Sequence, residues 1–146
     1  MKRNSRLSLA LHALGHMAAD PERKWPSAEI AENMDTHPAF VRRVLGLLKK
    51  GGILRSEKGH SGGWSLARAP GEISLADVYR ALDERFLRPE APGDDNPVTC
   101  RIERALRGAV DGALDRAEET LIADLGRTSI AALLDGDAAE RGEVEA

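Results

Sequence analysis

A mainly α-helical chain with one short two-stranded ribbon and a long C-terminal helix is the fold class the sequence predicts, and three observations carry it. Aromatic residues make up only 3% of the chain while 42% is hydrophobic, so the core has to be built from Leu, Ile, Val and Ala, the usual economy of a helical protein. Apolar residues recur at spacings of three and four along most of the sequence. One glycine-rich break, Lys58-Gly59-His60-Ser61-Gly62-Gly63, stands between two brief runs suited to strands. At 146 residues the chain suits one globular domain, or one compact domain with an extension, and a two-domain enzyme is not expected.

The first helix follows from Leu7, Ala10, Leu11, Leu14, Met17 and Ala18, which share one face and stop before Asp20-Pro21. After the loop from Pro21 to Pro26, Ser27 is placed to cap a short helix through Met34, with Ala28, Ile30, Ala31 and Met34 turned inward. Asp35-Thr36 interrupts it. A third helix begins with Thr36 or His37 as cap and Pro38 in its first turn, where the missing N–H costs little, and runs to Lys50 before Gly51-Gly52 ends it. Val41, Val44, Leu45 and Leu48 form its buried face, leaving Arg42 and Arg43 off that face. Two helices joined by so short a turn make a helix-turn-helix.

Strands are expected at Ile53 to Glu57 and Trp64 to Ala67, forming a two-stranded wing around the glycine-rich turn. Ser74 followed three residues later by Asp77 is a capping-box pattern that opens a fourth helix through Leu75, Val78, Ala81 and Leu82. Residues 87 to 98 hold Pro89, Pro92, Gly93, Asp94, Asp95, Asn96 and Pro97, the composition of a flexible loop. From Thr99, Ile102, Leu106, Val110, Ala113 or Leu114, Ala117, Leu121 and Leu125 keep one apolar stripe along a helix about 37 Å long. The small domain before it cannot cover so long a stripe, which implies pairing with a second copy in a homodimer. Thr128 is placed to cap a last short helix through Leu134. The division expected is therefore a winged helix-turn-helix domain over 1–86, a loop over 87–98, a dimerisation segment over 99–134 and a frayed acidic tail over 135–146.

The net charge of -3 conceals an asymmetry: residues 1–88 carry 15 Lys/Arg against 10 Asp/Glu, and residues 89–146 carry 6 against 14. A basic front and an acidic rear fit a nucleic-acid-binding domain with a solvating extension. No stretch approaches the roughly 20 apolar residues that span a bilayer, and no signal core opens the chain, so a soluble cytoplasmic protein without a membrane partner is expected. A single cysteine, Cys100, excludes an intrachain disulfide and fits a reducing compartment. No nucleophile with a base and an orienting group, and no phosphate loop followed by lysine, is evident, so no enzyme is expected.

The order of motifs resembles the Rrf2 family of bacterial winged-helix regulators over nearly the whole chain. The likeness rests on Ser27-x-x-Ile30-Ala31, Leu48-Lys49-Lys50-Gly51-Gly52-Ile53-Leu54, Gly59-x-x-Gly62-Gly63-Trp64-x-Leu66-Ala67-Arg68 and Ile73-x-Leu75-x-Asp77-Val78. The resemblance implies a dimer on a roughly palindromic operator of double-stranded DNA, with the third helix in the major groove and the wing towards an adjacent groove. Some members of the family hold an iron–sulfur cluster on three cysteines in the loop and at the start of the long helix. This chain has Cys100 alone and resembles the cluster-free, single-cysteine branch, so no cofactor is expected.

Affinity for DNA comes mainly from cations on phosphates, and sequence choice from side chains that reach base edges. Arg42 and Arg43, near the middle of the third helix, are the expected base readers, against the alternative of a solvated face. His37 is placed to meet a phosphate or base, or to serve as a cap, and Ser27 joins the contact set at the start of the second helix. Lys58, His60 and Ser61 with the amides of Gly62 and Gly63 form the expected wing contact, against a turn that simply needs glycine. Lys2, Arg3 and Arg6 are further phosphate candidates. Trp64 is expected to pack the wing on the body. Cys100, in the first turn of the long helix, where unpaired N–H groups and the nearby Arg101 and Arg104 favour the thiolate, is a candidate redox sensor or an inert thiol. His12 and His16 lie one helical turn apart, but two ligands are an incomplete set and both also suit the edge of a core, so no metal is expected. A dimeric repressor answering a redox, electrophile or small-molecule signal is the expected function; the alternative is a winged-helix module that heterodimerises without reading DNA.

Overall fold

The computed structural model describes residues 5–83, 87 and 100–136. Helix α1 (Ser5–Ala19) is followed by α2 (Ser27–Asn33) and α3 (Pro38–Lys50), strands β1 (Leu54–Glu57) and β2 (Gly63–Leu66), a 3-10 turn at Pro70–Glu72, helix α4 (Leu75–Ala81) and the long α5 (Arg101–Leu125). Residues 130–136 are helical again. The fold is the expected one, mainly helical with a two-stranded wing and a long C-terminal helix. The expected loop over 87–98 and tail over 135–146 lie outside the described residues, apart from Leu87, Asp135 and Gly136.

Both helices of the helix-turn-helix stop for a local reason. At the end of α2 the Asp35 amide donates to Glu32 O at 3.2 Å and the Thr36 amide to Ala31 O at 2.9 Å, with Asp35 at φ 49°. These paired bonds form a Schellman motif, with Asp35 in the left-handed position that glycine usually takes. At the end of α3 the Gly52 amide reaches Lys49 O and the Ile53 amide reaches Leu48 O, both at 3.0 Å, with Gly52 at φ 75°. The same device thus sets the turn before α3 and the turn into β1.

Val41, Val44, Leu45 and Leu48 of α3 are all fully buried and pack with Leu9, Leu14 and Met17 of α1, joined by Ile53, Ile73, Val78 and Leu82. Each large aliphatic side chain so buried contributes about 1.5 to 3 kcal/mol, which makes α3 the spine of the domain. Ala28, expected to face inward, is exposed; on α2 the buried residues are Ile30 and Ala31. The cap of α2 is Pro26, in extended geometry, and Ser27 is its first helical residue rather than its cap.

β1 and β2 pair antiparallel with Leu54 opposite Leu66 and Glu57 opposite Gly63, one residue earlier in β2 than the expected Trp64 to Ala67. Trp25 adds a bridge on the outer side of β2: its amide donates to Trp64 O and the Trp64 amide to Trp25 O, both at 2.9 Å. The Ser74 capping box forms in full, the Asp77 amide reaching Ser74 Oγ at 3.1 Å and the Ser74 amide reaching Asp77 Oδ2 at 3.0 Å.

Beyond α5 the chain returns to the domain. The Leu75 amide donates to Thr128 O and the Ile130 amide to Ile73 O, both at 2.9 Å, and Ile130 enters the core at 1% exposure. Ser129, not Thr128, caps the helical residues that follow, its Oγ accepting from the Ala132 amide at 3.1 Å. Thr128 instead spends its carbonyl on the link to Leu75.

Candidate nucleic-acid interface

The surface opposite the buried face of α3 carries Arg42, Arg43, Lys49 and Lys50, all exposed. The guanidinium groups of Arg42 and Arg43 have no ion-pair or hydrogen-bond partner among the described residues. Lys49 is engaged: its Nζ donates to Ser56 Oγ at 2.8 Å and joins the last turn of α3 to β1. This hydrogen bond to a residue seven positions on depends on the turn between them.

His37 caps α3 through its backbone, its carbonyl accepting from the Phe40 amide at 3.0 Å and the Val41 amide at 3.1 Å. The imidazole makes no cap bond and is exposed at the start of the helix. Ser27, placed in the contact set from sequence, has its hydroxyl committed inward, accepting from Trp64 Nε1 at 2.8 Å. It therefore ties the wing to the start of α2.

Lys58, His60 and Ser61 are exposed at the wing tip. Glycine is needed there for backbone reasons. A Cβ on Gly62 would lie 2.2 Å from Glu57 O, and one on Gly63, at φ 151°, would lie 2.9 Å from the backbone of Trp25. The Gly62 amide donates to Gly59 O at 3.1 Å, so it is committed within the turn rather than presented outward. At the base of the tip Glu57 pairs with Lys24, whose hydrogen bond and charge hold the Glu57 carboxyl below its ordinary pKa, with a lesser contribution from Arg55. Arg6 is exposed on α1, and Lys2 and Arg3 lie outside the described residues.

Cys100 is the N-cap of α5 and exposed. Its sulfur forms no full capping hydrogen bond, yet the adjacent amides of Glu103 and then Ile102 lower the thiol pKa. Of the two expected causes, the first-turn amides favour the thiolate, and Arg101 and Arg104 do not enter. Along α5, Ile102, Leu106 and Val110 are 71%, 62% and 56% exposed, and no residue of its 25 is buried.

The Rrf2 family, described as iron-dependent transcriptional regulator, matches the chain over residues 3–136. This chain belongs to the Rrf2 family. The HTH-type transcriptional regulator YwnA of Bacillus subtilis is 40% identical over 123 residues, covering 82% of this chain and 90% of that protein. A crystal structure titled as that of a DNA-binding protein shares 32% identity at a TM-score of 0.71, covering 89% of this chain and 99% of the other. The structure of IscR from T. potens matches in fold at a TM-score of 0.65, with 20% identity over 94% of this chain and 88% of that one.

An Rrf2 iron–sulfur cluster needs about four ligands, mostly thiolates. This Rrf2 chain supplies one cysteine, and among the described residues no group of three His, Cys, Asp or Glu is gathered that could hold a metal ion. The residues present in one chain do not fit such a cluster.

Proposed function

We propose that this chain is a sequence-specific DNA-binding repressor acting as a homodimer on a palindromic operator. The observation that carries it is the placement of Arg42 and Arg43, exposed and without partners among the described residues, on the helix whose opposite face is the core. A guanidinium held on a rigid helix is preorganised for bidentate contact to guanine. His37 stands at the same end of α3 for a phosphate, and Lys58, His60 and Ser61 extend the positive surface to the wing. The winged domain over 1–86 reads DNA, and 99–134 forms the dimerisation segment.

The apolar stripe of α5 supports the dimer. Three large aliphatic side chains more than half exposed in a row at spacings of four are a seam awaiting an equal partner. Cys100 at the head of that seam, with its thiolate favoured, is the candidate point of redox or electrophile control.

The test is selection of bound duplexes from a random pool across a salt series, with reduced and with peroxide-treated protein. Enrichment of a palindrome whose binding weakens with salt is expected. Salt-sensitive binding without enrichment would sink operator reading and favour a heterodimerising module.

A further inference from the structure

From Phe40 onward every large apolar side chain of α3 is buried or packed against the core, whereas Ala39 is exposed. About 3.6 residues complete a helical turn, so successive side chains lie about 100° apart. On that count Ala39 and Gly46 fall within about 20° of one line along the helix, with Arg43 about 40° to one side of Ala39 and Arg42 about 60° to the other. The buried Val41 and Leu48 lie on the opposite side. The methyl group of Ala39 therefore occupies the middle of a face whose flanks carry the two guanidinium groups.

An alanine methyl group ends close to the backbone, so it touches a base only where the helix itself lies near the floor of a groove. Gly46 removes the obstacle that a side chain further along the same line would present. Nothing in the chain demands a glycine there: a Cβ at Gly46 would meet no atom within 4 Å, and its backbone is part of the α3 helix. Glycine inside a helix is less stable than alanine, so the open surface here lowers the stability of α3. Along the axis Arg42 and Arg43 follow Ala39 by about 4.5 to 6 Å, the length of about one to two base-pair steps.

We propose that Ala39 is a specificity-determining residue whose methyl group packs on the C5-methyl group of a thymine in the major groove, beside a guanine read by Arg42 or Arg43. The inference rests on the DNA-reading function proposed above and adds a second kind of base to it. The thymine methyl is the apolar group that a base pair offers in the major groove, and a side chain without donor or acceptor has no other base feature to read there. The half-site therefore carries a thymine about one to two base pairs from a guanine.

The test replaces the thymines of the selected operator one at a time by deoxyuridine, which lacks only the C5-methyl group, and measures competition binding of the full-length protein. One thymine in each half-site, close to a guanine at which Arg42→Ala or Arg43→Ala relaxes discrimination, should lose about fourfold in affinity on demethylation, the factor for burying one carbon group. In Ala39→Gly the same demethylation should have no effect. Gly46→Leu fills open space in the free protein, so it should keep the far-UV spectrum of the parent, bind more weakly and lose the methyl sensitivity as α3 is lifted from the groove. This variant decides the matter if Ala39→Gly unfolds the first turn of α3. Equal methyl losses in the parent and in either variant, or an operator in which no thymine responds, overturn the role of Ala39 while leaving Arg42 and Arg43 as readers. Failure to enrich any palindrome overturns operator reading itself, and this inference with it.

Discussion

The indole nitrogen of Trp64, in the second strand of the wing, donates to the hydroxyl of Ser27 at the first residue of α2, 2.8 Å away and 37 positions earlier in the chain. With the two backbone bonds between Trp64 and Trp25, it fixes the wing against the helix-turn-helix from two sides. Ser27→Ala leaves the indole N–H of a half-buried side chain unsatisfied, a loss of about 1 to 2 kcal/mol. Urea unfolding followed by tryptophan fluorescence should show a lower midpoint with an unchanged slope. A variant as stable as the parent would mean that water replaces the hydroxyl.

Arg42→Ala and Arg43→Ala remove exposed side chains without partners among the described residues, so stability should stay within about 0.5 kcal/mol. Discrimination between the selected operator and a mutated one should fall by about 1 to 3 kcal/mol for at least one of them. Lys58→Ala should weaken binding to all sequences alike and reduce the salt slope by about 1. Competition binding in two salt concentrations separates the two patterns.

Leu106→Glu places a charge in the middle of the exposed stripe of α5, beside Ile102 and Val110. Sedimentation should show dimer for the parent and monomer for the variant. The isolated fold should persist, because α5 contributes no buried residue to it.

Gly62→Ala drives a methyl group to 2.2 Å from Glu57 O, a contact that only backbone movement relieves. A cost of about 1 to 3 kcal/mol and a displaced wing are expected. Gly59→Ala meets open space but a φ of 106°, so its penalty comes from conformation alone. Thermal melts of both should rank below the parent, with Gly62→Ala the lower.

Cys100 titrates below an ordinary thiol because the amides of Glu103 and Ile102 face its sulfur. Alkylation by iodoacetamide should therefore keep its rate to lower pH in the folded protein than in urea. The sign for stability follows: a depressed folded pKa adds stability fully present above the unfolded thiol pKa and lost as pH falls through the folded one. Equal pH profiles in the folded and unfolded chain would remove the helix-start effect.

Much of this was legible in the sequence because it is local. The four buried residues of α3, the capping box of Ser74 and Asp77, and the glycine stop at Gly52 each rest on spacings of four or fewer, which neighbouring residues determine. Asp35 interrupts α2 as expected, though its left-handed geometry belongs to the completed Schellman turn. What escaped was non-local. Ser27 reads as a cap, yet its hydroxyl answers Trp64, and only packing of the wing brings the two together. Thr128 and Ser129 are equally suited to capping, and the choice falls to Ser129 because the Thr128 carbonyl is taken by Leu75. Ala28 is apolar and periodic but points outward, since Ile30 and Ala31 already fill the space above α3. The contact residues proposed for DNA were legible as charge on a helix face; the commitment of the Gly62 amide within its own turn was not.

The return of the chain at Ile130 gives α5 a second attachment to the domain, beyond the Tyr79–Glu118 bond. A long helix held at a single point would let each head swing like a flail. Clipped at Ile130 to Ile73 and through Tyr79 to Glu118, it works as one arm of a caliper, whose jaw opening is set where the two arms join. In the proposed dimer the distance between recognition helices is then a property of the seam, so a change of a degree or two in the crossing of the arms is magnified at the DNA, where half-sites one turn apart demand about 34 to 36 Å.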